Sequence, residues 1–349
     1  MPSSSQPPHS ICLFRLSALG DVCNCVPMVR ALQRRWPLAR ISWVIGAVEH
    51  RLVSTLPGVE FIPYDKRSGL SGLLEFRRLL NGRRFDVLLL AQVSARANLM
   101  SRWISATRRI GFDPARSREG HGWVVNERIN PTPFQHQALA FLEFAKALDA
   151  DCDSLDRRLP IPDAAMAFAE KYQPMRKMAV VISPASSHSG RNWNAQGYAQ
   201  VADHIQQHLQ RPIILVGGPS AKERELGDAI ISNMDTLPLD LIGRDTLPEL
   251  LAMLDRAACL ITPDSGPAHF AASLGTPVVG LYAATWACRS GPLGSLEHCV
   301  DRYPTAARRF LNSEPEALRW GRRIEREGVM DLISVDQVLE KVSIVLERP

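Results

Sequence analysis

Short apolar runs and longer amphipathic stretches alternate along this chain in two successive rounds. The first round has apolar runs at 11–16, 41–45, 61–64 and 86–90. Each is too short for a stable helix and rich in branched or aromatic residues, so each predicts a strand. Between them, apolar positions recur at helical spacing over about 22–36, 49–56, 70–81 and 96–105. Pro27 falls in the early turns of the first of these helices, where proline is tolerated best. An arginine-rich polar loop at 111–122 precedes a further amphipathic helix at 134–148. The pattern restarts with strands at 179–183, 213–217, 239–242, 259–262 and 277–282 and helices at 195–209, 221–233, 248–257 and 268–274. A last helix is predicted at 335–346.

Strand and helix in alternation predict an α/β fold with parallel sheets. Two rounds predict two tandem Rossmann-like, doubly wound domains facing a central cleft. Residues 149–164 mix acidic residues with prolines and read as the linker. The expected division is a mobile tail at 1–10, a first domain at 11–155 and a second at 156–349, whose last helix is placed to pack back on the first.

Composition narrows the class. With 349 residues, 46% hydrophobic and 22% charged, the chain reads as an ordinary globular protein of two domains. Its seven cysteines are odd in number, scattered and without a Cys-x-x-Cys pair, which predicts reduced thiols and neither a disulfide frame nor a zinc site. No apolar run approaches the roughly 18 residues of a membrane span. The opening MPSSSQPPHS has neither the basic nor the apolar region of a signal peptide. Residues 1–160 hold 22 Lys/Arg against 14 Asp/Glu, while 161–349 hold 19 against 22, so a net charge of +5 hides a first half at +8 and a second at −3. A basic half suggests an anionic partner. Aromatics interleaved with those basic residues are sparse, which disfavours nucleic acid.

Three stretches carry candidate chemistry. In 258–285, a buried strand, the turn Pro263-Asp264, a helix opening at Ser265 and a second buried strand make a βαβ unit. Its working edge bears Thr262, Asp264, Ser265 and His269, and Gly266 lets a ligand approach the helix N-terminus. That terminus suits a diphosphate, although Asp264 and Ser265 would also serve as plain helix caps. The second stretch, 183–193, joins hydroxyls, Gly190 and Arg191 as a phosphate loop does, or forms a polar loop in which Asn194 caps the next helix. The third is Asp21, which follows the first strand, Ser17 and Gly20. It is either a helix-terminal carboxylate or a general base.

Taken together, Ser17-Ala18-Leu19-Gly20-Asp21, the Ser186-Ser187 loop with Arg191 and Trp193, Asp264-Ser265-Gly266 with His269, and Tyr282-Ala283-Ala284-Thr285 followed by Arg289-Ser290-Gly291-Pro292 resemble the ADP-heptose:lipopolysaccharide heptosyltransferase family (glycosyltransferase family 9) over about 11–345. The resemblance implies a cytoplasmic GT-B enzyme, peripheral at the inner membrane, that transfers heptose with inversion from ADP-heptose to an inner-core acceptor on lipid A, either Kdo or heptose. It implies no metal and no cofactor beyond the donor. Asp21 would be the base. Ser186, Ser187 and Arg191 would hold the diphosphate, and Asp264, Ser265, Gly266 and His269 the sugar and phosphates. Ser220, Glu223, Arg244 and Asp245 fall where the family handles adenosine. Ser17, Gln92, Arg96 and Arg118 fall on the acceptor side. Trp286-Ala287-Cys288 departs from the commoner Asn-Pro or Asp-Pro sequence.

On the basic first domain, Lys66, Arg67, Arg96, Arg116 and Arg118 follow or connect strands and are expected to supply acceptor contacts. Arg77, Arg78, Arg83 and Arg84, beside Leu73, Leu74 and Leu79, are expected either to touch anionic lipid or to form a solvated helix face. Competing readings are transfer to another acceptor such as protein, a non-catalytic nucleotide-sugar binding module, and a nicotinamide enzyme. The last lacks its G-x-G-x-x-G fingerprint after the first strand.

Overall fold

In the computed structural model, which describes residues 7–347, the chain divides into two compact units that meet in sequence at Pro160 and Ile161. The first unit runs β1 (Ser10–Phe14), α1 (Leu19–Arg35), β2 (Arg40–Gly46), α2 (Ala47–Val53), β3 (Val59–Tyr64), α3 (Gly69–Leu80), β4 (Arg84–Leu90), α4 (Ala95–Ser101), β5 (Ser105–Gly111), β6 (Glu127–Arg128) and α5 (Gln137–Lys146). The second runs α6 (Asp163–Tyr172), β7 (Val180–Ile182), α7 (Ala195–His208), β8 (Ile213–Leu215), α8 (Ala221–Ser232), β9 (Leu239–Asp240), α9 (Leu247–Arg256), β10 (Cys259–Pro263), α10 (Gly266–Leu274), β11 (Val278–Tyr282), α11 (Ala287–Ser290), β12 (Val300–Asp301), α12 (Tyr303–Leu311) and α13 (Val335–Leu346).

Each unit holds one six-stranded sheet, ordered β3-β2-β1-β4-β5-β6 and β12-β11-β10-β7-β8-β9. Every pairing is parallel, from Ile11 against Ile41 and Val87 to Ile261 against Val279 and Ile182. Read from β7, the second order repeats the first, so both units have the doubly wound order in which ligands bind outside the C-terminal ends of the strands where direction reverses. Those reversal points lie between β1 and β4 and between β7 and β10.

The strands are apolar because helices cover both faces. β1, β7, β8, β10 and β11 are buried at every position. One core gathers Phe14, Tyr64, Phe76, Leu88 and Met100, and the other Tyr198, Ile205, Leu215, Ile261 and Tyr303. Trp193 fits the second core because Gly197 leaves room for its ring, and its Nε1 donates to Ile333 O at 3.1 Å. α13 packs against α7 and β11.

Several elements depart from the pattern-based expectation. Of the tail expected at 1–10, residues 1–6 lie outside those described, but His9 N and Ser10 N donate to Asp86 Oδ2 at 2.7 and 2.9 Å, which ties that end to β4. β5 runs from the expected end of a helix at 105 to the expected start of the polar loop at 111, through residues for which no strand was expected. Its arginines are spoken for: Arg108 forms a two-point ion pair with Glu127 at 2.8 Å, and Arg109 donates to the carbonyls of Val124, Ile104 and Ser101 at 2.7 to 2.8 Å. β6, β12, α6 and α12 were not anticipated. His121 pins the 111–122 loop, accepting from Phe112 N at Nε2 (3.1 Å) and donating from Nδ1 to Asn98 (3.0 Å). Burial, with Arg128 nearby, lowers its pKa to about 4, so it is neutral.

Candidate active site

In the first unit, chemistry collects where β1 ends. Arg15 follows the last apolar strand residue and is buried. Its guanidinium pairs with Asp21 in the first turn of α1, donates to Ala91 O at 2.6 Å after β4, and lies over the Phe141 ring at 5.2 Å. Asp21 also accepts weakly from Ala18 N at 3.4 Å. Gln92 bridges the same edge, its Oε1 accepting from Leu16 N at 2.6 Å and its Nε2 donating to Ser17 Oγ at 3.3 Å. Ser17, Asp21 and Gln92 are therefore brought together, around an arginine that the motifs did not single out. A charge closing an otherwise apolar strand was its one sequence signal, since such a group must find a partner.

The basic residues expected to meet an acceptor are dispersed among other duties. Lys66 pairs with buried Glu49 at 2.9 Å beside the end of β2, and Arg67 pairs with Asp65 at 3.3 Å in its own turn. Arg116 is a structural residue: it pairs with Asp113 and donates to Gln135 (3.2 Å) and Asn130 O (3.1 Å). Arg96 and Arg118 are exposed, on segments joined where Glu119 accepts from Ala95 N at 2.5 Å. On α3, Leu70 and Leu74 are 79% and 68% exposed, whereas Leu73 packs on the core and Arg83 pairs with Glu60 at 2.6 Å.

In the second unit the site lies over β7 and β10. Thr262 Oγ1 donates to Ser183 O at 2.8 Å and shares a 2.8 Å hydrogen bond with Ser265 Oγ, locking the two strand ends together. Ser265 is thereby diverted from capping, and its side chain makes no hydrogen bond to the first turn of α10. Gly266 opens that helix, with Pro267 next and half-buried His269 one turn in. Asn192 Oδ1 accepts from Ser186 N at 2.8 Å and shapes the loop on which Ser187 is exposed. Asn194 does cap α7, accepting from Gly197 N at 2.7 Å. The loop thus caps one helix and leaves Ser187 exposed.

Arg191 is the center of this half. Its side chain is 9% exposed, Nη1 donates to Asp264 Oδ2 at 3.2 Å, and Nε donates to Glu325 Oε1 at 2.9 Å. Its Nη2 is buried without a hydrogen-bond partner among the described residues. Glu325 comes from more than a hundred residues away, in a charged surface stretch with no sequence signal. Trp286, the departure noted in the motif, stacks on Tyr303 at 5.4 Å and packs on the core.

Over β8 and β9, Glu223 accepts from Gly218 N at 2.6 Å and Ser220 Oγ at 3.1 Å, while Ser220 Oγ in turn accepts from Glu223 N at 3.3 Å to cap α8. Arg244 is exposed. Asp245 Oδ2 is buried with no partner among the described residues. Burial first, then the charges of Glu249 and Glu223, raise its pKa to about 7.

Against the expectation that no Asp-x-Asp pair is present to hold a divalent ion, that spacing occurs at Asp149/Asp151 and Asp151/Asp153. Arg35, in the last turn of α1, donates to Asp149 O at 3.0 Å, which puts that stretch about 20 Å along the helix from Asp21 at 1.5 Å per residue.

A sequence model of glycosyltransferase family 9 (heptosyltransferase) matches residues 73–316. Lipopolysaccharide core heptosyltransferase OpsX of Haemophilus influenzae is 33% identical over 339 residues, 97% of each chain. Among solved structures, a family 9 glycosyltransferase from Veillonella parvula superposes with a TM-score of 0.81 at 22% identity, covering 98% of each chain. The ADP-heptose lipopolysaccharide heptosyltransferase II of Escherichia coli gives 0.71 at 19% identity, covering 97% of this chain and 98% of its own.

Proposed function

The chain belongs to glycosyltransferase family 9, the heptosyltransferases, and from that premise we propose that it transfers heptose from ADP-heptose, with inversion, to an inner-core sugar of lipopolysaccharide at the cytoplasmic face of the inner membrane. One observation carries the donor half of this reading: a nearly buried guanidinium, Arg191, whose Nη2 has no partner among the described residues, beside a helix N-terminus that its own N-cap residue Ser265 does not cap. Forked positive charge and free first-turn N–H groups are what a departing diphosphate requires. Glu223 and half-buried Asp245, whose Oδ2 is buried, then suit the hydroxyl and ring-nitrogen groups of the adenosine end.

In the transfer, the acceptor hydroxyl gives its proton to Asp21 as its oxygen bonds to the anomeric carbon. The bond from that carbon to the diphosphate oxygen breaks, and ADP leaves with the electron pair. Arg15 holds the Asp21 carboxylate at the mouth of β1, and Gln92 fixes Ser17 next to it. Charge on the leaving group is met by Arg191 and α10, so no divalent ion is needed for that step.

The test is transfer from ADP-heptose to Kdo-bearing lipid A, followed by mass spectrometry in the presence of EDTA. Asp21→Asn should lower turnover by about 10²–10⁴ while ADP affinity stays within a few-fold. Turnover near wild type would remove Asp21 as the base, and a strict requirement for magnesium or manganese would remove the metal-free step.

A further inference from the structure

Two carboxylates hold Arg191, and only Asp264 belongs to the loops that build the site. Glu325 lies between two glycines in the left-handed region, Gly321 (φ 83°) and Gly328 (φ 75°). Its neighbor Ile324 is buried and donates its N–H to Ala284 O at 2.8 Å. Gly190 approaches so closely that a Cβ there would stand 2.9 Å from Glu325 Cβ. Backbone packing therefore delivers this carboxylate to Arg191, while Arg323 Nη1 at 4.0 Å and His188 Nδ1 at 3.9 Å stand on its other sides.

Nε and Nη2 of a guanidinium form one edge of a fork that accepts two oxygens of a single anion. Glu325 takes Nε of Arg191 with one oxygen, and Nη2 stays unpartnered among the described residues. A diphosphate bound through that edge would bring its charge within hydrogen-bond distance of Glu325, and such like-charge contact is costly. Resting on the donor assignment above, we propose that Glu325 and the donor diphosphate compete for the same edge of Arg191. Glu325 yields it on binding and turns to Arg323 and His188. Glu325 is thus a positioning residue that sets donor affinity through Arg191.

Calorimetric titration of ADP into the full chain tests this with Glu325→Gln, Arg191→Ala and the double variant. The amide keeps the shape of glutamate and its packing on Gly190, and a thermal melt verifies the fold. Competition predicts that Glu325→Gln binds ADP about fivefold more tightly, that Arg191→Ala binds it more weakly, and that most of the gain vanishes when Arg191 is absent. If Arg191→Ala weakens ADP but Glu325→Gln binds it no better than wild type, the competition is refuted and the donor assignment stands. If Arg191→Ala leaves ADP affinity unchanged, the donor assignment itself falls.

Discussion

Replacing Asp245 with asparagine should stabilize the folded chain above pH 7 and change much less at low pH. In the fold, its pKa stands at about 7 against an ordinary 3.8, chiefly because burial disfavors the charged form. Below about pH 4 the carboxyl is protonated in both folded and unfolded chains, and the shift has no effect. Between about pH 4 and pH 7 the unfolded chain releases the proton while the folded one retains it, so folding stability falls as pH rises. Above pH 7 the loss is complete and constant. At 1.36 kcal/mol per unit, a displacement of about three units is worth about 4 kcal/mol, and relaxation that admits water to the carboxylate brings this nearer 2 kcal/mol.

Urea unfolding of both proteins at pH 5 and pH 8 measures the effect. An amide has no titration, so any fixed cost of burying it is the same at both values. The stability difference should shift in favor of the variant by at least about 1 kcal/mol between pH 5 and pH 8. An equal difference at both would refute a proton-retaining Asp245. The result also bears on nucleotide binding. A carboxyl that still holds its proton near neutrality is a hydrogen-bond donor, and a ligand that accepts from it adds to the stability of that state.

Two further outcomes are expected. Arg191→Ala should lower kcat/KM by about 10²–10³, because leaving-group charge grows in the transition state. Arg191→Lys should recover part of this, since an ammonium keeps the charge but lacks the forked edge that serves Asp264 and a ligand together, and undiminished turnover in the alanine variant would make Arg191 a structural residue. On α3, where exposed Leu70 and Leu74 share a strip with Arg77 and Arg78, serine at both leucines or at both arginines should reduce sedimentation with phosphatidylglycerol vesicles, by about fivefold per arginine at low salt. Equal binding to phosphatidylcholine would refute an anionic-lipid face.

What was legible in the sequence is what hydrophobic periodicity encodes. The strands at the reversal points were read to within one or two residues, and with them the loops bearing Asp21, Ser186, Arg191 and Asp264. The strand β5 was not legible, because Arg108 and Arg109 interrupt its apolar pattern and their partners lie on β6 and on distant carbonyls. α1 begins three residues before its predicted start. Ala18, Leu19 and Gly20 carry no capping signal, and it is the Asp21 carboxylate that accepts from Ala18 N. Of the leucines beside the arginines of α3, Leu73 turns inward while Leu74 and Leu79 are exposed, and Leu70, which the pattern did not single out, is exposed with them. The β5 miss turns on a partner well along the chain, Glu127, whereas the start of α1 turns on a contact only three residues apart.

Partners that no motif singled out explain why candidate residues alone did not yield the candidate site. Asp21, Arg191 and Asp264 are recognizable as motif residues, yet what determines their chemistry is the group that holds each one. Arg15 reaches Asp21 from the end of β1, and Glu325 reaches Arg191 from a surface stretch 134 residues on. Thr262 draws Ser265 away from its capping role at the α10 terminus. The two units thus apply one device at their reversal points. A buried arginine is tied to a carboxylate at the ends of the central strands, and in the proposed reaction the carboxylate is the working group in one unit and the arginine in the other. Exchanging a single partner, Arg15 or Glu325, should therefore alter the acceptor half and the donor half of the reaction independently.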